Sequence, residues 1–113
     1  MKREFRLTHQ KDFDYLKVQG KSKRHPFMVL VYHANKLNIS RVAVVASRNI
    51  GNAVKRNFVK RRLKACIHFV WSDIKPGWDM ILYAKSRIHD ANFDEIEKAV
   101  NELLQRAGLF TRE

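Results

Sequence analysis

Asn52-Ala-Val-Lys-Arg-Asn-Phe-Val-Lys-Arg-Arg-Leu-Lys-Ala-Cys-Ile-His-Phe-Val-Trp71 sets apolar side chains at helical spacing. At about 100° per residue, Val59, Leu63, Cys66, Ile67 and Val70 gather on one side of a helix. Arg56, Asn57, Lys60, Arg61 and Lys64 fall along an adjoining arc, with Lys55 and Arg62 outside it. Phe58 and Phe69 flank the apolar face and are expected to widen it. The helix should run from about Ala53 to Trp71, opened by Asn49-Ile-Gly51-Asn52, which breaks whatever precedes it. Its apolar side needs a sheet or another helix to pack on.

The flanking sequence supplies both. Upstream, Phe27 to Tyr32 is a continuous apolar run of strand length and Arg41 to Ala46 is a second strand. The short connection Asn35 to Ser40 suggests that these two form a hairpin. Downstream, Lys75-Pro76-Gly77 is a turn and Asp79 to Ala84 a third strand, so strand, helix and strand suggest a parallel crossover. Asn92 followed by Glu95 opens a last helix ending near Gly108, with Ile96, Val100, Leu103, Leu104 and Ala107 on one face. At the other end, Thr8 is a candidate cap for a helix from about His9 to Gln19, stopped by Gly20, with Leu7 as a staple and Phe13 and Leu16 sharing a face. Gly20 to Pro26 reads as a basic loop. The order α-β-β-α-β-α describes the α+β class, a single α/β sandwich, with no repeat or linker and one domain over residues 1–113.

Charge narrows the function. The chain has 113 residues, 23 Lys and Arg against 11 Asp and Glu, and a net charge of +12. From Tyr15 to Ser72 there are thirteen basic residues and no acidic one. A surface charged for solubility mixes both signs; a one-sign field attracts a polyanion. On the long helix no acidic residue stands four places from a cation, so stacked like charges destabilise the free helix slightly. A solvated helix face is the plain alternative, and a polyanion ligand explains the missing partners better. Arg provides bidentate phosphate contacts, and Gly51 and Asn52 leave backbone N–H groups at the helix start, an anion site.

Other chemistry finds little support. His9, His25, His33, His68 and His89 show no metal-ligand spacing, and no phosphate-cradling glycine motif occurs. Cys66, the lone cysteine, lies on the apolar face, so it reads as buried rather than reactive, and no internal disulfide can form. No apolar run reaches membrane-spanning length and the charged start is no secretory signal, so a cytoplasmic protein is expected. Composition alone fits a small ribosomal or assembly RNA-binding protein, or a duplex-DNA binder, as well as any other reading.

The motifs go further. Gly51-Asn-Ala-Val-Lys-Arg-Asn-Phe-Val-Lys-Arg-Arg-Leu-Lys64 closely resembles the signature of the bacterial ribonuclease P protein subunit, with its Arg-Asn-Arg-type helix. Arg41-Val-Ala-Val-Val-Ala-Ser-Arg-Asn-Ile50 is similar to that family's strand leading into the helix. Leu7-Thr-His-Gln-Lys-Asp-Phe13 is similar to its first helix, and Asp79-Met-Ile-Leu-Tyr-Ala-Lys85 and the final helix complete the likeness. Phe58 stands where the family usually has a third motif Arg, and Ala65 where an acidic residue is common.

The resemblance implies a left-handed crossover around the basic helix, against the right-handed default. It implies that this helix faces a catalytic RNA, with Arg48, Asn52, Lys55, Arg56, Asn57, Lys60, Arg61 and Lys64 as the RNA-binding set. It implies a cleft between the first helix and the sheet that receives the single-stranded 5′ leader of precursor tRNA. Such a cleft needs aromatic faces and cations; Phe13, Phe27, Val31, Lys85 and Arg87 are its candidates, although each aromatic also reads as ordinary core. Phe27, Val29 and Val31 share one strand face and Met28, Leu30 and Tyr32 the other. The strand alone does not say which face is cleft; the family register favours that of Phe27 and Val31. The implied activity is endonucleolytic removal of the leader by a ribonucleoprotein whose RNA carries the catalysis and binds most of the Mg²⁺. The protein itself has no catalytic residue, no metal ligand and no obligate protein partner in this reading.

Overall fold

A computed structural model describes residues 2–111. The first helix, α1, spans Gln10–Gln19. His9, not Thr8, holds the cap position, and neither side chain caps the helix; Thr8 is exposed. Gly20 ends α1 with its N–H donated to Leu16 O at 2.8 Å. Its φ of −71° is ordinary, so glycine is required there by crowding. A Cβ would lie 2.5 Å from Leu16 O and 2.7 Å from Val31 Cγ1. That close approach presses the end of α1 onto the sheet.

The stretch expected to be a basic loop contains an edge strand, β1, Lys21–Arg24. It pairs antiparallel with β2, Met28–Ala34, in the register Lys21↔Tyr32 to Arg24↔Val29. A Lys-Ser-Lys-Arg segment carries no apolar alternation to betray a strand, and a cationic edge discourages pairing with another chain.

The expected hairpin between Phe27–Tyr32 and Arg41–Ala46 does not form. The sheet order is β1-β2-β4-β3, where β3 is Arg41–Val45 and β4 is Trp78–Ala84. β4 runs antiparallel to β2 and parallel to β3. The physical reason lies in β4 itself: Met80, Ile81 and Leu82 are all fully buried, so both faces of this strand need cover and it takes a central place. The connection 35–40 therefore crosses the end of β4, held by Asn35 N–H to Gly77 O and by Ser40 Oγ, which donates to Lys75 O and accepts from Trp78 N–H.

Strand β3 leads through a short turn, Arg48–Ile50, into α2, Ala53–Val70, and the expected parallel crossover to β4 is present. The last helix, α3, covers Phe93–Arg106 and begins with the capping box anticipated from Asn92 and Glu95. Both long helices pack into one core with the sheet face of Met28, Leu30, Tyr32, Met80 and Leu82. Val59, Leu63, Cys66, Ile67 and Val70 of α2 are all buried there, as their spacing requires. Helix α1 covers the opposite sheet face, where Leu7, Leu16 and Ile81 are buried against half-covered Phe13, Val31, Ala43, Val45 and Tyr83. The result is an α+β sandwich with the expected order of elements, plus the extra edge strand. Among the described residues no helix is long and apolar enough to cross a membrane.

Candidate nucleic-acid interface

The start of α2 is built tightly. Gly51 has φ +138°, a conformation that side chains rarely adopt, and a Cβ there would meet Lys55 Cδ at 2.9 Å. Asn52 caps the helix, its Oδ1 accepting from Lys55 N–H at 2.9 Å. That oxygen is therefore committed to the fold. Behind this corner His89 Nε2 donates to Ile50 O at 2.6 Å, tying it to the turn after β4. Arg48 and Lys55 are exposed beside it.

Along α2, Arg56 and Lys60 are half-buried at the edge of the core face, while Asn57, Arg61 and Lys64 are exposed. Among the described residues no Lys or Arg of α2 forms an ion pair with a carboxylate. The acidic residues of α3 do not neutralise the arc. Lys60, Arg61 and Lys64 form one wall of a groove of about 570 Å³ whose other side is Arg6, Leu7 and Phe13. Thus the cation ladder and Phe13, placed apart in the sequence, border one depression.

Phe58 and Phe69 do not widen the core. They are 46% and 79% exposed, because five residues already complete the buried stripe and these two project beyond it. Phe58 instead carries the Arg62 guanidinium 4.5 Å above its ring, and Phe93 of α3 lies 5.9 Å from the same group. Arg62 is thereby held away from the ladder.

On the α1 side of the sheet a cleft of about 420 Å³ is lined by Leu16, Lys17, Arg24, Val29, Val31 and Tyr83. Met28, Leu30 and Tyr32 point the other way, into the core. This settles which face of the strand opens to the cleft: it is that of Val31. Neither Phe27 nor Phe13 joins it; Phe13 borders the groove beside the α2 cations instead. The strand begins at Met28, and in the preceding turn Phe27 N–H donates to His25 Nδ1 while the Phe27 ring packs against the main core. Lys85 and Arg87 border a second depression with Arg24, His25, Pro26 and Ser86. Arg24 lines both depressions, so the cations after β4 lie along one path with the cleft.

Two features escaped the sequence. Lys17 and Arg24 line the cleft, Arg24 from β1, where the sequence suggests a loop. Tyr83 lines it because β4 lies beside β2, opposite Val29 in register; the hairpin reading hid this pairing. The Tyr83 hydroxyl is buried without a hydrogen-bond partner among the described residues, and burial raises its pKa above the usual phenol value.

Fold and site together define a small basic α+β protein with an uncompensated cationic helix bordering a groove, and a second cleft between its first helix and its sheet. The sequence model of the ribonuclease P family matches residues 1–108. The ribonuclease P protein component of Herpetosiphon aurantiacus is 34% identical over 110 residues, covering 97% of this chain and 89% of that protein. That of Clostridium botulinum strain Loch Maree is 32% identical, covering 96% and 98%. A mutant of the Staphylococcus aureus ribonuclease P protein superposes with a TM-score of 0.90 at 26% identity, covering 96% of this chain and 92% of that one. The Thermotoga maritima protein does so with a TM-score of 0.81 at 25% identity, covering 89% and 96%. The chain belongs to the ribonuclease P protein family, a family of tRNA processing.

Proposed function

We propose that this chain binds the catalytic RNA of ribonuclease P through the cationic arc of α2 and receives the 5′ leader of precursor tRNA in the cleft between α1 and the sheet. Residues 1–113 act as one RNA-binding domain in the cytoplasm, with no obligate protein partner. The observation that carries this reading is the absence of any carboxylate paired with the α2 cations among the described residues. Arg56, Lys60, Arg61 and Lys64 then meet RNA phosphates, displacing counterions. Arg48 and Lys55 extend the contact to the helix start, where Asn52 and Asn57 offer amide N–H groups to phosphate or ribose oxygens.

The leader binds as a single strand. Val31 gives the cleft an apolar floor, and Lys85 and Arg87 hold phosphates farther along. Phe13, which borders the groove beside the α2 cations rather than this cleft, gives a stacking face to a leader that continues into that groove. Phe27 supports the turn that carries His25 and does not reach the leader. The protein's part in hydrolysis is binding and orientation, so endoribonuclease activity is that of the assembled ribonucleoprotein. No group of three or more His, Cys, Asp or Glu side chains suited to a metal ion occurs among the described residues. In this reading Mg²⁺, held mainly by the RNA, supplies Lewis-acid and hydroxide-generating chemistry at the scissile phosphate.

Reconstitution with the catalytic RNA at low Mg²⁺ tests the proposal. Faster cleavage of precursor tRNA is expected on adding the protein. No gain at any protein concentration contradicts it.

A further inference from the structure

The Tyr83 hydroxyl is a polar group with no evident structural purpose. It is buried and lacks a hydrogen-bond partner among the described residues, an arrangement that proteins avoid because the desolvated group goes unrewarded. Its surroundings on the α1 side of the sheet are apolar: Leu16, Val31 and Ile81 belong to the same cluster. A phenylalanine ring would fill that place equally well. Yet Tyr83 lines the cleft whose other residues include Lys17, Arg24, Val29 and Val31.

We propose that the Tyr83 hydroxyl hydrogen-bonds a neutral group of the leader nucleotide seated over Val29 and Val31, either its ribose 2′-hydroxyl or its base edge. The inference rests on the cleft being the leader site. Charge sorts the parts of the nucleotide. A phosphate brought among Leu16, Val31 and Ile81 would lose its hydration with no cation to replace it. Exposed Lys17 and Arg24 at the cleft rim suit the phosphates. The sugar or base is left for the floor, where a phenol both donates and accepts, as a 2′-hydroxyl also does. Burial raises the Tyr83 pKa, so the proton stays on the oxygen at neutral pH. In the free protein the hydroxyl is closed to solvent, so its contact with the nucleotide requires the side chains lining the cleft to shift when the leader binds.

The test is Tyr83→Phe in the holoenzyme reconstituted with the catalytic RNA. Dissociation constants are measured for precursor tRNA with a ribonucleotide leader, for the same precursor with a 2′-deoxy leader, and for mature tRNA. The variant should bind the ribonucleotide precursor about threefold to tenfold more weakly, the effect of one lost neutral hydrogen bond. Mature tRNA should be unaffected, and the free protein's thermal stability unchanged or raised. A loss confined to the ribonucleotide leader assigns the 2′-hydroxyl, and an equal loss on the 2′-deoxy leader assigns the base edge; either supports the proposal. Unchanged precursor binding, equal loss on mature tRNA, or a less stable protein overturns it. The wild type separates this from the underlying reading. If it fails to prefer precursor over mature tRNA, the leader site itself is overturned. If it does prefer precursor and Tyr83→Phe matches it, only the Tyr83 assignment falls.

Discussion

Arg41 grips Asp79 through two hydrogen bonds, Nε to Oδ1 at 2.9 Å and Nη2 to Oδ2 at 2.7 Å, between adjacent residues of the parallel pair β3 and β4. Asn35 Nδ2 donates to the same Asp79 Oδ1 at 2.9 Å, and Asp12 of α1 stands 3.5 Å from Arg41 Nη1. One buried carboxylate thus ties together the connection after β2, both parallel strands and, through Arg41, the first helix. The hydrogen bond to Asp79 also raises the Arg41 pKa, so the guanidinium is charged at every pH of interest.

Asp79→Ala removes the centre of this network and leaves a largely covered guanidinium with only the longer Asp12 contact at 3.5 Å. The expected cost is on the order of 3 kcal/mol, toward the lower end for breaking a buried pair because Arg41 keeps some solvent contact. Urea denaturation at neutral pH checks this; a loss below about 1 kcal/mol contradicts it.

Arg56→Ala with Lys60→Ala should leave the fold nearly intact, since neither residue is ion-paired among the described residues. Affinity for the catalytic RNA should fall, and the slope of log K against log salt should flatten by roughly one for each lost phosphate contact. A salt titration of binding measures both. An unchanged slope places these side chains away from phosphates.

Phe13→Ala removes a ring that is half-covered by Leu7, Leu16 and Ile81. Precursor tRNA should bind more weakly than with the wild type by about 1–3 kcal/mol, the worth of one base stacked on an aromatic ring, while mature tRNA binding stays the same. Comparing the two substrates under identical salt decides the matter. Equal effects on both place Phe13 in the fold alone.

Burial pushes the Cys66 thiol up to about 11 from 9.0. The folded state holds this proton more tightly than the unfolded chain. Its contribution is therefore constant below about pH 9, and stability declines as pH rises from 9.0 toward about 11. Cys66→Ala should flatten that decline in urea-melt stability. In the wild type at pH 8, thiol alkylation should proceed at the slow rate of local unfolding rather than at that of a free thiol.

Much of this was readable from residue order, and the failures have a common cause. The α2 stripe of Val59, Leu63, Cys66, Ile67 and Val70 and the Asn92–Glu95 cap are local patterns, and both appear as expected. Strand neighbours are not local. A short connection between Tyr32 and Arg41 resembles a hairpin, and only the double-sided burial of Met80, Ile81 and Leu82 reveals that β4 must lie between. That one misplacement hid Tyr83 in the cleft. The Lys-Ser-Lys-Arg edge strand was invisible because its order comes from β2's unpaired edge, not from its own side chains. Phe27 looked like a cleft residue because alternation was extended one place past the start of the strand.

The central claim is that the charged side of α2 lies against the catalytic RNA while the α1 side of the sheet holds the leader. Site-specific photocrosslinking from positions 61 and 13 in the assembled holoenzyme with precursor tRNA tests it most directly. Position 61 should crosslink to the catalytic RNA and position 13 to leader nucleotides. If position 61 reaches no RNA, or if position 13 crosslinks equally with mature tRNA lacking a leader, the account is wrong.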